Sequence, residues 1–167
     1  MNIKKLMLIS LIAVAILFSV SVVSAGLLDG LFGGEQQDNV IELDELTFNT
    51  TNVTKFKLDN KTDVTGGTIT RYFDENDTGY TINIFNCSVD KSTFNDVFNQ
   101  YKATFDDSPS ETIDGIIVYT ISADIGDNVG QPRYMSLVQN KDLNTFVQIS
   151  SPDPNETAKM VLSLKFK

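Results

Sequence analysis

The sequence predicts a single α+β domain in which one mainly antiparallel sheet of five to seven strands packs against two helices. Three observations lead to this prediction. Short runs of β-branched and aromatic residues recur and are separated by polar turns, which is typical of strands joined by hairpins. Residues 94–105 and 157–165 instead repeat their apolar residues with helical spacing. Groups of strands interrupted by single helices indicate the α+β class.

The N-terminal residues have the layout of a secretory signal. Lys4 and Lys5 precede an uncharged apolar run over residues 6–23, and small residues follow up to Ala25 and Gly26. This order predicts a signal peptide over residues 1–25, cleavage between Ala25 and Gly26, and an extracytoplasmic protein that is secreted or held at the cell surface. Because a run of 18 residues reaches the lower limit for a membrane span, an uncleaved anchor is the alternative.

Two segments are predicted after the signal. Residues 26–42 are rich in glycine and polar residues, which predicts a flexible linker, and residues 43–167 form a single globular domain. Loss of the signal removes two of the 13 basic residues and none of the 22 acidic ones, so the mature net charge is −11. Such a surface repels phosphate groups, so we expect no nucleic-acid partner and membrane contact only through an uncleaved N-terminal segment.

Four strands are predicted ahead of the first helix. Residues 46–48 and 56–58 are short alternating stretches, whereas residues 68–73 and 80–89 are richer in β-branched and aromatic side chains. The polar residues 74–79 between the latter two end in glycine and predict a hairpin connection.

The first helix has the clearest periodicity in the chain. Its apolar residues fall at i, i+3, i+4, i+7 and i+11: Phe94, Val97, Phe98, Tyr101 and Phe105. Asp90 is the predicted N-cap. The aromatic stripe predicts the side of the helix that packs on the sheet.

Three further strands are predicted after this helix. Residues 112–123 are interpreted as one strand, and the nearly continuous apolar run inside it is typical of a central strand covered on both faces. Residues 133–139 and 145–150 flank a hairpin connection over residues 140–144.

The second helix has a strong start signal. Asp153 is the predicted N-cap, Pro154 occupies the first helical position and Glu156 the third, which together form a variant of the capping box.

The composition excludes several kinds of catalytic site. The chain contains no histidine, so it has no Ser-His-Asp or Cys-His arrangement and no histidine ligand for zinc. The single cysteine, Cys87, cannot form an internal disulfide, and its apolar strand predicts a buried, inert thiol. No phosphate-binding glycine loop or metal-ligand motif is present, so we expect neither a cofactor nor a resident metal.

Two acidic loops contain the residue types that bind calcium but lack a complete calcium-binding motif. Residues 74–79 repeat the first half of an EF-hand loop, but its twelfth position is Phe85 where a glutamate is needed. The segment is therefore predicted to be a β-turn, with weak calcium binding as the alternative. Asp124, Asp127 and Asn128 form a second oxygen-rich loop with the same interpretation.

Sequons for N-glycosylation are the one class of motif that exceeds chance. Six matches to N-x-[ST] are present where composition predicts about two or three. They begin at Asn49, Asn52, Asn60, Asn76, Asn86 and Asn155. The first three are expected to be modified most readily, because they cluster in a polar region with few predicted strands. Asn86 lies inside a predicted strand and is the poorest candidate.

Two resemblances accompany these patterns. The N-terminus, MNIKKLMLISLIAVAILFSVSVVSAGLLDGLFG, resembles the leaders of small exported proteins of unknown function in methanogenic archaea. Over residues 43–165, the order of an amphipathic helix, the segment ETIDGIIVY and a closing helix is similar to the PsbP-type α/β/α sandwich. That resemblance implies a non-catalytic accessory or binding module and assigns no functional residue.

These observations favour an exported, non-catalytic cell-envelope domain that binds or supports an unknown surface component. The alternative is an extracellular hydrolase or glycan-active enzyme that uses paired carboxylates, for example Asp114 and Asp124. A third hypothesis places a small apolar ligand between helix 94–105 and the sheet.

Overall fold

The structure, a computed structural model, describes residues 38–122 and 131–167. Within these residues the chain forms ten strands and two helices. In chain order they are β1 (Asn39–Glu42), β2 (Leu46–Thr50), β3 (Phe56–Val64), β4 (Gly67–Asp74), β5 (Thr81–Cys87), α1 (Lys91–Ala103), β6 (Ser110–Ile113), β7 (Ile116–Ser122), β8 (Pro132–Asn140), β9 (Thr145–Ser151), α2 (Pro154–Leu162) and β10 (Lys165–Phe166).

The strands form two sheets, and every observed pairing is antiparallel. Seven strands form the main sheet in the order β3-β4-β5-β9-β8-β7-β6, and a small sheet has the order β1-β2-β10. The predicted α+β class and antiparallel sheet are confirmed, whereas the prediction of a single sheet is wrong. Short strands near both ends of the described chain pair with β2, with Lys165 opposite Thr47, and complete the second sheet.

The main sheet is covered on both faces. Strand β5 shows the alternation: Ile82 and Ile84 belong to the core shared with the small sheet and α2, whereas Phe85 and Cys87 belong to the core beneath α1. Successive strand residues point to opposite faces, so a strand between two layers is buried at almost every position. Strands β5 and β9 occupy the middle of the sheet and have this burial pattern. Polar side chains in these strands form hydrogen bonds across the pair, Asn83 with Gln148 and Asn86 with Thr145.

Aromatic rings fill the space between α1 and the sheet. The ring of Phe146 stacks on Phe85 with centroids 4.3 Å apart, and it contacts the rings of Phe98 and Tyr101 at 5.5 and 5.3 Å. Phe94 packs behind it with a centroid distance of 6.4 Å. Because protein side chains occupy this layer, it is a core, and the hypothesis of an apolar-ligand site between helix and sheet is not supported.

Both predicted N-caps are confirmed. The Asp90 carboxylate accepts hydrogen bonds from the Thr93 amide at 3.0 Å and from the Thr93 hydroxyl at 2.8 Å, and α1 begins at the next residue. The Asp153 carboxylate accepts from the Asn155 amide at 2.8 Å, with proline at the start of α2. Each cap satisfies a backbone donor that the first helical turn leaves unpaired.

The segment 112–123 differs from its prediction. It is a hairpin of β6 and β7 with Asp114 and Gly115 as a two-residue turn, whose φ angles of 50° and 85° fit a type I′ turn. The apolar run therefore lies in β7, next to the edge strand β6 and away from the centre of the sheet. Its buried Val118 lies on the side that α2 covers, while Ile117 is largely exposed on the other side.

Two further boundaries also differ. Residues Asn39–Glu42, the end of the predicted linker, form strand β1, and the rest of residues 26–42 lies outside the described residues. Strand β3 extends through Asp59–Val64, which was expected to be strand-poor, and forms a charged, exposed edge of the main sheet. Charged side chains on an edge strand oppose pairing with other chains.

Candidate functional site

An open cleft of about 420 Å³ lies beside α2. Its walls come from the chain just before β1, from β2, from the β6–β7 turn and from α2. The lining residues are Asp38, Asn49, Ile113, Asp114, Asn155, Lys159, Leu162 and Ser163. The volume is within the range of small-molecule and side-chain binding pockets.

Lys159 holds one wall of this cleft together. Its ammonium group forms an ion pair with Asp38 and donates a hydrogen bond to the Thr51 hydroxyl at 2.5 Å. At the other end of the same wall, the Ser163 hydroxyl accepts a hydrogen bond from the Asn49 amide at 2.8 Å. These contacts join α2 to the small sheet and fix the width of the cleft on that side.

The β6–β7 hairpin supplies the opposite wall. The tight turn at Asp114 and Gly115 places Ile113 and Asp114 at the tip of the hairpin, and both residues line the cleft together with Leu162. Leu162 is 55 % exposed, although it is a large apolar residue. The cleft thus combines two apolar side chains with carboxylate, ammonium, amide and hydroxyl groups, which suits a polar ligand with an apolar part.

Two buried acids accept hydrogen bonds from the loops around them. Glu156 is 5 % exposed. One of its carboxylate oxygens accepts hydrogen bonds from the Thr50 hydroxyl at 2.5 Å, from the backbone N–H of Thr51 and from the backbone N–H of Asn52 at 3.4 Å. The carboxylate of this residue therefore reaches the loop after β2, and the predicted capping box is replaced by this longer-range contact.

Asp74 has the corresponding role in the β4–β5 turn. It is 1 % exposed, and its two carboxylate oxygens accept hydrogen bonds from the amides of Thr78, Gly79 and Tyr80 and from the Thr78 hydroxyl, at 2.8 to 3.2 Å. The predicted turn is confirmed. Asp74, the first acidic residue of the segment, accepts hydrogen bonds from backbone N–H groups of the same turn, as in an Asx-turn.

Arg133 closes the same turn from β8. Its guanidinium donates a hydrogen bond to the Gly79 carbonyl at 2.7 Å, and a Cβ at Gly79 would lie 1.5 Å from the Nη1 atom. With a φ of 102°, this position favours glycine for its backbone conformation, and a side chain here would displace the Arg133 guanidinium.

Tyr80 lies between these two acids. Burial is the main reason that the pKa of the Tyr80 phenol is raised to about 12. The hydrogen bond from the side-chain amide of Asn52 lowers this pKa, whereas the negative charges of Glu156, Asp153 and Asp74 raise it further. The phenol is therefore protonated at neutral pH and accepts the Asn52 hydrogen bond at 3.1 Å.

A cluster of polar side chains that the sequence did not predict lies on the α1 side of the main sheet. Arg71 is buried within β4, 3.5 Å from the Asp59 carboxylate, and burial lowers its pKa while Asp59 raises it. Next to it in the register, the Asn83 amide donates to Gln148 at 3.3 Å, and the Tyr101 hydroxyl donates to the same oxygen at 2.8 Å. A single arginine in an apolar strand gives no sequence signal for such a network.

Of the carboxylate pair that the sequence suggests, Asp114 and Asp124, the structure describes only Asp114. Asp114 lines the cleft, whereas Asp124, Asp127 and Asn128 lie outside the described residues. A second carboxylate that does line the cleft is Asp38. Across residues 38–122 and 131–167, no group of three or more acidic, cysteine or histidine residues could hold a metal ion.

The sequons occupy two kinds of environment. Asn52, Asn60, Asn76 and Asn155 are exposed. Asn49 is half-buried in the middle strand of the small sheet, and Asn86 is half-buried in an interior strand, where its side-chain oxygen accepts a hydrogen bond from Thr145 at 2.8 Å. Asn49 and Asn60 therefore lie in strands, in the region that the sequence predicted to contain few.

Cys87 is buried beneath α1, and burial raises the pKa of its thiol to about 11. Because the thiolate is the reactive form, we expect no reaction with a thiol reagent at pH 8 in the native state and complete reaction in denaturant. A colorimetric thiol assay measures this. The matched control is Ser88→Cys in a Cys87→Ala background, which moves the thiol to an exposed neighbour and should react at once. Rapid native labelling of Cys87 itself would contradict the burial argument.

No helix among the described residues is long and apolar enough to cross a membrane, and the predicted signal lies outside that part of the chain. The chain matches no model of a protein family, and no curated protein or solved structure is significantly similar to it.

Proposed function

We propose that this chain is an exported, non-catalytic domain of the cell envelope that binds a surface component through the cleft beside α2. The observation that carries the proposal is that the buried acids are bonded within the fold, whereas the polar groups of the cleft lie beside an exposed apolar side chain. The buried acids Asp74 and Glu156 are occupied by loop donors, whereas the cleft presents an exposed leucine among amide and charged groups. A partly apolar, partly polar concave surface is typical of a binding site.

The proposal is tested by a pair of leucine variants. Leu162 in the cleft and Leu143 in the β8–β9 hairpin are exposed to similar extents, 55 % and 50 %. We expect Leu162→Glu to weaken association with the envelope component at least tenfold, because it places a charge in the contact surface. Leu143→Glu should leave association unchanged. The measurement is quantitative co-purification of the full chain after mild cross-linking of whole cells; equal behaviour of the two variants would overturn the proposal.

One observation favours the alternative, a carboxylate-based extracellular hydrolase or glycan-active enzyme. Asp38 and Asp114 line the same cleft, and a pair of carboxylates is the chemical requirement of most glycosidases. Asp114→Asn separates the two functions, since asparagine tolerates the positive φ of this turn position. The enzyme predicts loss of hydrolysis of envelope glycans in this variant, whereas the binding module predicts no hydrolysis in either protein.

A further inference from the structure

Three exposed sequons meet at one end of the main sheet. Asn52 lies in the loop after β2, Asn76 in the β4–β5 turn and Asn155 in the first turn of α2. These segments are far apart in the sequence. Their arrangement is a consequence of the fold, and the sequence did not predict it.

The loop over residues 51–55 connects the other two segments. On one side, the Lys55 carbonyl accepts a hydrogen bond from the Glu75 amide at 3.0 Å, and the Lys55 and Glu75 side chains form an ion pair at 3.1 Å. On the other side, the amides of Thr51 and Asn52 donate to Glu156, the residue next to Asn155. Asn52 therefore lies between the Asn76 and Asn155 sequons.

We infer that this end of the domain, defined by Asn52, Asn76 and Asn155, is N-glycosylated, and that Asn49 and Asn86 are not. The inference rests on the proposed export, since the modification requires the extracytoplasmic side. A glycan needs room outside the folded surface, which the exposed Asn52, Asn76 and Asn155 have. Asn49 is half-buried in the middle strand of the small sheet, and Asn86 lies in an interior strand with its side chain bound to Thr145.

The chemistry is compatible with the contacts at Asn52. The side-chain nitrogen forms a bond to the anomeric carbon of a glycosyl phosphate carried on a lipid; the bond from that carbon to the phosphate oxygen breaks, and the amide loses one proton. No oxidant or reductant is needed. One N–H remains on the modified nitrogen, so this nitrogen keeps a donor for the Tyr80 hydroxyl.

Glycans at this end would leave the opposite end of the sheet bare. There, the β8–β9 hairpin carries the exposed Leu143 and Asp142. Asp142 forms an exposed ion pair at 2.9 Å with Lys91, the first residue of α1. Asp38, the first described residue, lies near the glycosylated end, because it pairs with Lys159, one helical turn after Asn155.

The experiment is site-resolved mass spectrometry of the full-length protein recovered from its own cells. We expect glycopeptides that contain Asn52, Asn76 and Asn155, and unmodified peptides at Asn49 and Asn86. Thr54→Ala should remove one glycan, seen as one step in gel mobility, whereas Thr54→Ser should keep it; both leave Asn52 and its contacts in place. Asn49→Gln and Asn86→Gln should leave the mobility unchanged.

Unmodified peptides at Asn52, Asn76 and Asn155, or glycans at Asn49 or Asn86, would overturn the inference. Protease accessibility on intact cells reports export separately. An accessible but unmodified protein overturns only the glycosylation inference, whereas a protein retained in the cytoplasm overturns the proposed function as well.

Discussion

Replacement of Phe146 by alanine is expected to lower the free energy of unfolding by about 4 kcal/mol. The side chain is fully buried in β9, and its ring contacts the rings of Phe85, Phe98 and Tyr101 at centroid distances of 4.3 to 5.5 Å. Removing the ring leaves a cavity that the surrounding rings, held by α1 and β5, cannot fill. Since domains of this size unfold with about 5–15 kcal/mol, the loss would be a large part of the total.

Equilibrium unfolding in urea, followed by circular dichroism, measures this effect. The matched control is Phe105→Ala, which removes a ring from the margin of the same cluster, where it is half-buried and contacts Tyr101 and Tyr119 at 5.6 and 5.9 Å. We expect the control to lose less than half as much stability. Equal losses would show that the cluster has no well-packed centre at Phe146.

The parts of the fold that the sequence predicts well are those that depend on neighbours along the chain. The aromatic stripe of α1 follows from the helical period, and the Asp90 cap depends on Thr93, three residues away. The hairpin turn at Asp114 and Gly115 is also local, and that dipeptide is a strong turn signal. The apolar residues on both sides of this dipeptide nevertheless resemble one continuous strand, and this resemblance hides the turn.

The small sheet and the cleft depend on contacts between distant residues. Strand β10 pairs with β2 across more than a hundred residues, and neither strand is long enough to be identified by its own pattern. The cleft needs the chain before β1, the β6–β7 turn and α2 together. No local pattern specifies such an arrangement, since any one of these segments could pack elsewhere with the same periodicity.

Glu156 shows the same limit at a single residue. Its position, three residues after the Asp153 N-cap, predicts a capping box, which is a local contact. The structure instead directs the carboxylate to Thr50, Thr51 and Asn52, more than a hundred residues earlier. A sequence pattern defines which atoms are available near a helix start, but tertiary packing decides which donors reach them.

Removal of this carboxylate is therefore expected to affect both stability and the loop that holds Asn52. We expect Glu156→Ala to lower the free energy of unfolding by about 3 kcal/mol, because it leaves the Thr50 hydroxyl and the Thr51 amide without their acceptor. Glu156→Gln keeps an acceptor oxygen at the same place and should lose less. Urea unfolding gives the stability, and hydrogen exchange of the Thr51 and Asn52 amides gives the local effect.

The charge of Glu156 has an independent readout in Tyr80. Glu156 is one of the charges that raise the pKa of this phenol to about 12, so Glu156→Gln should lower that pKa towards 10 without removing the burial that is its main cause. The absorbance of the tyrosinate measures it, with Tyr80→Phe as the control that identifies the signal. An unchanged Tyr80 titration together with unchanged exchange at Thr51 and Asn52 would show that Glu156 does not hold this loop.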